Sequence, residues 1–171
     1  MRAGGWRRLL AWGVDCVAAL LWAGVLAAVV WPQRDRTALV RLAEHPALEN
    51  LVGFAVLVLP VTLALAWAEH RWGRTPGKWL TGLHVVGRPE GRAPSVRKAL
   101  ARNAVKIALP WGIGHAAVFV LADGAGAHGP AAIGLLVLSY VLPVVTLVGV
   151  FSRRHRAPHD VVARTDVVPA R

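Results

Sequence analysis

The residues best placed to do chemistry are an arginine and an acid at the start of the first apolar stretch. Residues 9–31 form an apolar run that follows Arg7-Arg8 and carries Asp15 inside it. At ~1.5 Å per residue this run outreaches the ~30 Å hydrocarbon core of a bilayer, which predicts a membrane-spanning helix. An ionised aspartate at the centre of such a helix costs about 2.5–3.5 kcal/mol, and less towards an interface. Asp15 stands about two turns from the charged end, so it is expected to have a partner there. Arg8 and Asp15 are seven residues apart and share a helical face with Ala11, Ala18 and Ala19, small residues that let another helix approach. Leu10, Val14, Val17, Leu21 and Val25 fall on the opposite face, which suits lipid. Two kinds of chemistry are open to such an acid: ion pairing across helices, or exchange of a proton for a cation.

Other chemistries fit poorly. Gly73-Arg74-Thr75-Pro76-Gly77-Lys78 is one residue short of a phosphate-binding loop, and Trp79 stands where a Mg²⁺-binding hydroxyl is needed. His155 and His159 are four apart beside Asp160, but Pro158 breaks the helical register a shared metal requires and the neighbours are basic. His115, in the third apolar run, reads as a hydrogen-bonded interior histidine rather than a proton relay. No nucleophile–base pair can be assembled, so neither an enzyme nor a cofactor or metal site is expected.

These residues must be held by membrane elements. The chain has 171 residues, is 56% hydrophobic, has a mean hydropathy of +0.49 and carries a formal net charge of +11. Its bases crowd the flanks of apolar runs, which points to the lipid bilayer and anionic phospholipid headgroups rather than to nucleic acid. Cys16 is the only cysteine, so no intrachain disulfide forms. The first run exceeds a signal-peptide core, and cleavage is not expected.

The whole chain, 1–171, reads as one membrane domain: a four-helix bundle with helices near 9–31, 47–68, 105–122 and 131–151. Pro60 should kink the second helix. The third is the weakest, interrupted by Pro110, Gly112 and Gly114. Seventeen of the 20 Lys and Arg residues fall before the first run, in the loop region 69–106 or in the tail 152–171; the other three lie in the first connector. Positive-inside bias therefore places both termini, the loop 69–104 and the tail in the cytoplasm. Trp6, Trp12, Trp31, Trp67, Trp72 and Trp111 lie near run ends, as interface-anchoring rings do.

Within the loop, residues 83–86 have strand character, and Thr165-Asp166-Val167-Val168 is a second short strand on the same side. Neither can satisfy its backbone alone, so the two are expected to pair and dock the tail beneath the bundle. Ser95 is a good N-cap for a basic amphipathic helix at the membrane surface, with Lys98, Arg102 and Lys106 as a polar stripe beside Val96, Ala99, Leu100, Asn103 and Ile107.

The pattern Arg8-x-x-Ala11-x-x-x-Asp15 resembles the opening of the RDD family of bacterial membrane proteins, named for one arginine and two aspartates. The resemblance continues through Glu69, the Thr75-Pro76-Gly77-Lys78 element, Gly82-Leu83-x-Val85-Val86, Ser95 and Arg102-Asn103. It closes on Asp160 and Thr165-x-Val167-Val168, while residues 104–151 match only in hydrophobicity. It implies a multi-pass plasma-membrane protein whose key charged trio is Arg8, Asp15 and Asp160, with Glu69, Thr75, Pro76, Gly77, Lys78 and Arg102 in support. Some relatives look like cation/proton antiporters.

Two expectations follow. Arg8 should pair with Asp160 or Asp15, and Lys78 or Arg102 with the remaining acid. The protein is then either a cation/proton transporter, for which at least a homodimer is expected, or a non-catalytic scaffold or accessory subunit whose basic face binds anionic lipid or a partner protein.

Overall fold

A computed structural model describes residues 3–33, 45–122, 129–153 and 155–170. Most of the connector with Arg34, Arg36 and Arg41, and the turn at 123–128, lie outside these residues. Helix α1, Gly5–Val30, ends in a 3₁₀ turn, Trp31–Gln33. Helix α2 (46–72) joins Pro46–Gly53, a π-helical turn Phe54–Val58, and Leu59–Trp72. A short helix α3, Pro76–Leu80, leads into strand β1, Leu83–Gly87. Helix α4 (96–122) joins Val96–Asn103, a π-helical turn Ala104–Ala108, and Leu109–Ala122. Helix α5 (Pro130–Phe151), the short helix α6 (Pro158–Val162) and strand β2 (Thr165–Pro169) complete the order.

Among the described residues, three segments are long and apolar enough to cross a membrane: Gly5–Gln33, Ala47–Trp72 and Pro130–Phe151. The fourth expected span, 105–122, is helical but is not one of them. It is the far part of α4, which begins at Val96 and carries Lys98, Arg102 and Lys106 through its first turns.

Each interior π turn stands just before a proline. The N–H of Leu59 reaches back to the Phe54 carbonyl, and that of Leu109 to the Ala104 carbonyl, one residue ahead of Pro60 and Pro110. A proline has no N–H for the helical ladder, and the wider turn absorbs the local mismatch. At Pro60 a freed acceptor finds a partner on another helix: the Val56 carbonyl accepts the Trp22 indole N–H at 3.1 Å.

Helix α1 begins four residues earlier than the hydropathy suggests, so Arg7 and Arg8 lie within it. Its buried face is Gly5, Arg8, Ala11 and Asp15, and Leu10, Val17, Leu21 and Val25 are exposed. Ala18, expected on the buried face, is also exposed, because close packing against α1 ends near Asp15. All six tryptophans near run ends are exposed as well.

The β pair is antiparallel, with Leu83 opposite Pro169, Val85 opposite Val167 and Gly87 opposite Thr165. Alternation buries Leu83, Val85, Thr165 and Val167 on one face. Leu83, Val85 and Val167 form a small core with Ala3 and Ala11, and the Ala3 N–H donates to the Val167 carbonyl at 2.9 Å. The tail is thus clamped between the loop and the first residues of α1.

The basic stripe does not face the membrane surface as expected. Ser95 does cap α4, accepting from the Lys98 N–H at 3.4 Å, but the buried face is Ala99, Arg102 and Asn103. Val96 and Leu100 are the exposed ones. Burying one arginine is favourable only where carboxylates meet it, and two do.

Candidate functional site

The centre of the molecule is a buried charge network, built where α1, the end of α2, α3, the start of α4 and the tail converge. Asp15 is met by the Thr-Pro-Gly-Lys element, and each residue of that element has a separate physical task. Thr75 caps α3: its hydroxyl accepts from the Lys78 N–H at 3.3 Å and donates to Asp15 Oδ2 at 2.8 Å. Pro76 occupies the first helical turn, where a missing N–H costs nothing. The Gly77 N–H donates to Asp15 Oδ1 at 2.9 Å, and a Cβ on Gly77 would collide with the Ala11 carbonyl and press on Asp15 Oδ1. Only glycine permits this approach of α3 to α1. Lys78 then turns away, its Nζ 2.9 Å from Glu69 Oε1 and 3.9 Å from Asp15 Oδ2.

Glu69 is the hub. It is fully buried at the end of α2, just before Gly73 closes that helix in the left-handed conformation at φ +66°. Its carboxylate accepts from Lys78 Nζ, from Arg102 Nε (3.3 Å to Oε1) and from the Asn103 amide at 2.9 Å. Asn103 also donates to the Ala99 carbonyl at 3.0 Å, which fixes its amide.

Arg102 carries the network from Glu69 to the tail. Its Nη1 donates to Asp160 Oδ1 and, at 2.7 Å, to the Thr165 hydroxyl. The other Asp160 oxygen accepts from Arg8 Nη2 and from the Ala157 N–H at 3.0 Å. The second Arg8 nitrogen donates to the His155 carbonyl at 2.6 Å. Burial opposes ionisation of Asp160, but Arg102, His159 and Arg8, with the Ala157 N–H, hold its carboxyl well below the usual range. The same logic raises Arg102 above its ordinary value: burial works against its charge, and Asp160 and Glu69 overcome it. His159, buried beside this pair, is pushed well below 6.5, first by desolvation and then by Arg102.

A cavity of about 410 Å³ opens beside the network, between α1, α4 and α5. Its charged and titratable lining consists of Arg8, Lys78, Arg102, Lys106 and His159, with no carboxylate among the described residues. The walls are apolar, including Trp12, Pro110, Pro143, Leu147 and Val150.

The sequence model of the RDD family matches residues 2–164. The chain belongs to the RDD family. No curated protein and no solved structure matches it. In this RDD protein Arg8 sits against Asp160, one of the two acids expected for it. Asp15, the other expected acid, takes Thr75 and Gly77 as hydrogen-bond donors and lies 3.9 Å from Lys78 and 3.8 Å from Lys106. Glu69, placed in support by the family resemblance, holds the central position instead, and the inward turn of Lys106 has no clear trace in the sequence. His159 and Thr165 join through the tail. Of the groups weighed elsewhere, His115 stacks on Trp111 with ring centroids 5.5 Å apart, away from the network.

Proposed function

We propose that this RDD protein is a non-catalytic membrane scaffold whose buried charge network latches the cytoplasmic layer to the helices. The observation that carries this reading is the saturation of the three acids. Asp15, Glu69 and Asp160 each have at least two donor or cationic partners, supplied by four separate parts of the chain: α1, α3, α4 and the tail. Carboxylates so occupied leave little room for a transported cation, and removing any one strands buried charge. In this reading the chain crosses the plasma membrane four times, α4 supplying the remaining span. Both termini, the loop and the tail are cytoplasmic, where the basic face meets anionic headgroups. A periplasmic reporter active when fused after Arg171 would contradict that topology.

A second reading, cation/proton exchange, is favoured by one feature. Asp15 and Lys106 stand 3.8 Å apart near an apolar cavity, so the acid is not locked in a close ion pair with that lysine. Proteoliposome flux separates the two readings. The scaffold reading expects no proton-coupled Na⁺ or K⁺ movement above empty liposomes. Flux that Asp15→Asn abolishes would establish transport.

A further inference from the structure

The network is not electrically balanced. Among the described residues, Arg8, Lys78, Arg102 and Lys106 face Asp15, Glu69 and Asp160, one cation in excess before His159 is counted. The excess is directed to one place. The carboxylates lie behind the bases, and all four bases together with His159 line the cavity. His159 is 4% exposed and its Nδ1 has no hydrogen-bond partner among the described residues. A buried ring nitrogen without a partner calls for one, and bases with no acid on the cavity side call for an anion. Beyond this polar floor the lining turns apolar, with Trp12 from α1, Pro110 from α4 and Pro143, Leu147 and Val150 from α5. A volume near 410 Å³ is within the range of small-molecule sites and holds far more than an inorganic ion.

We propose that this cavity binds one anionic amphiphile, its carboxylate or phosphate head on Arg8, Lys106 and His159 and an acyl chain along Trp12 and the proline-lined walls of α4 and α5. The floor supplies charge, the walls supply apolar surface, and α1 and α5 leave exposed apolar faces through which a chain enters from the bilayer. Two sources share this chemistry: a free fatty acid and a membrane phospholipid with an anionic head. The proposal builds on the latch reading, because the latch fixes the bases at the cavity floor.

Native mass spectrometry of the detergent-solubilised protein tests it, with oleate, phosphatidylglycerol and phosphatidylcholine titrated separately. The expected result is a single saturable adduct with oleate or phosphatidylglycerol, at least ten-fold tighter than with phosphatidylcholine. Preference between the first two identifies the source. Lys106→Gln should weaken that adduct about ten-fold. Leu147→Trp, which fills the cavity without touching the network, should do the same at an unchanged Tm. If Lys106→Gln does not fold, Leu147→Trp carries the test. Equal affinity for phosphatidylcholine, an adduct unaffected by Leu147→Trp, or full displacement by inorganic phosphate would each overturn the proposal. If Asp160→Asn lowers Tm while no anionic amphiphile binds, the latch stands and this inference alone falls.

Discussion

Arg8 and Asp160, 152 positions apart in the chain, form an ion pair whose side chains are 6% and 1% exposed. Arg8 belongs to the first membrane helix and Asp160 to the short helix of the tail, so this contact closes the molecule end to end. Arg102 holds the other oxygen of the same aspartate. Both bases are buried, and neither has bulk water to fall back on.

Asp160→Asn should therefore be costly. It removes the charge that compensates two buried guanidinium groups, and breaking such a pair typically costs about 3–5 kcal/mol. A large drop in Tm in detergent, with reduced accumulation in the membrane, is expected. Glu90→Gln is the matched control: its partner Lys98 is partly exposed, and the Tm should not move measurably.

Gly77→Ala should disrupt the molecule more than its single methyl suggests. The added Cβ meets the Ala11 carbonyl, which is backbone and cannot swing aside, and it also presses on Asp15. Loss of folded protein by size-exclusion chromatography is expected. Gly13→Ala, on α1 with open space around it, should not destabilise the protein.

Much of this arrangement is written in local residue patterns. The strand pair and its docking of the tail follow from two β-branched stretches that could not satisfy their backbones alone. The Ser95 cap and the three apolar helices follow from equally local signals. What the pattern conceals is which polar face is buried. Lys98, Arg102 and Lys106 are evenly spaced, as on a headgroup-facing stripe, yet Lys98 reaches Glu90 while Arg102 and Lys106 turn inward. A 3.6-residue period cannot separate these cases, because the π turn Ala104–Ala108 alters the register between Arg102 and the helix beyond it. The family resemblance marks Glu69 but not its place at the hub, for a related reason. Its partners come from α3 and α4, and nothing near it in sequence announces them.

Acid should loosen the latch. His159 is held well below its ordinary value near 6.5 by burial and by Arg102, with Lys106 and Arg8 adding to the effect and Asp160 opposing it. The unfolded chain then takes up the proton that the folded chain refuses, so stability falls as pH drops below about 6.5. The slope from this one group is on the order of 1.4 kcal/mol per pH unit. Asp160 acts in the same direction at lower pH, since its folded carboxyl binds protons more weakly than the ordinary value of 3.8 implies. Tm recorded between pH 7.5 and 5 should decline, and His159→Gln should flatten the decline.

The central claim is that the ends of the chain are energetically coupled through Arg8 and Asp160. A double-mutant cycle on Tm-derived stability, using Arg8→Met, Asp160→Leu and the double variant in the same micelle, tests it most directly. The latch predicts that the double variant loses clearly less than the two single losses combined, with a coupling of at least about 2 kcal/mol. Strict additivity of the two losses would contradict it.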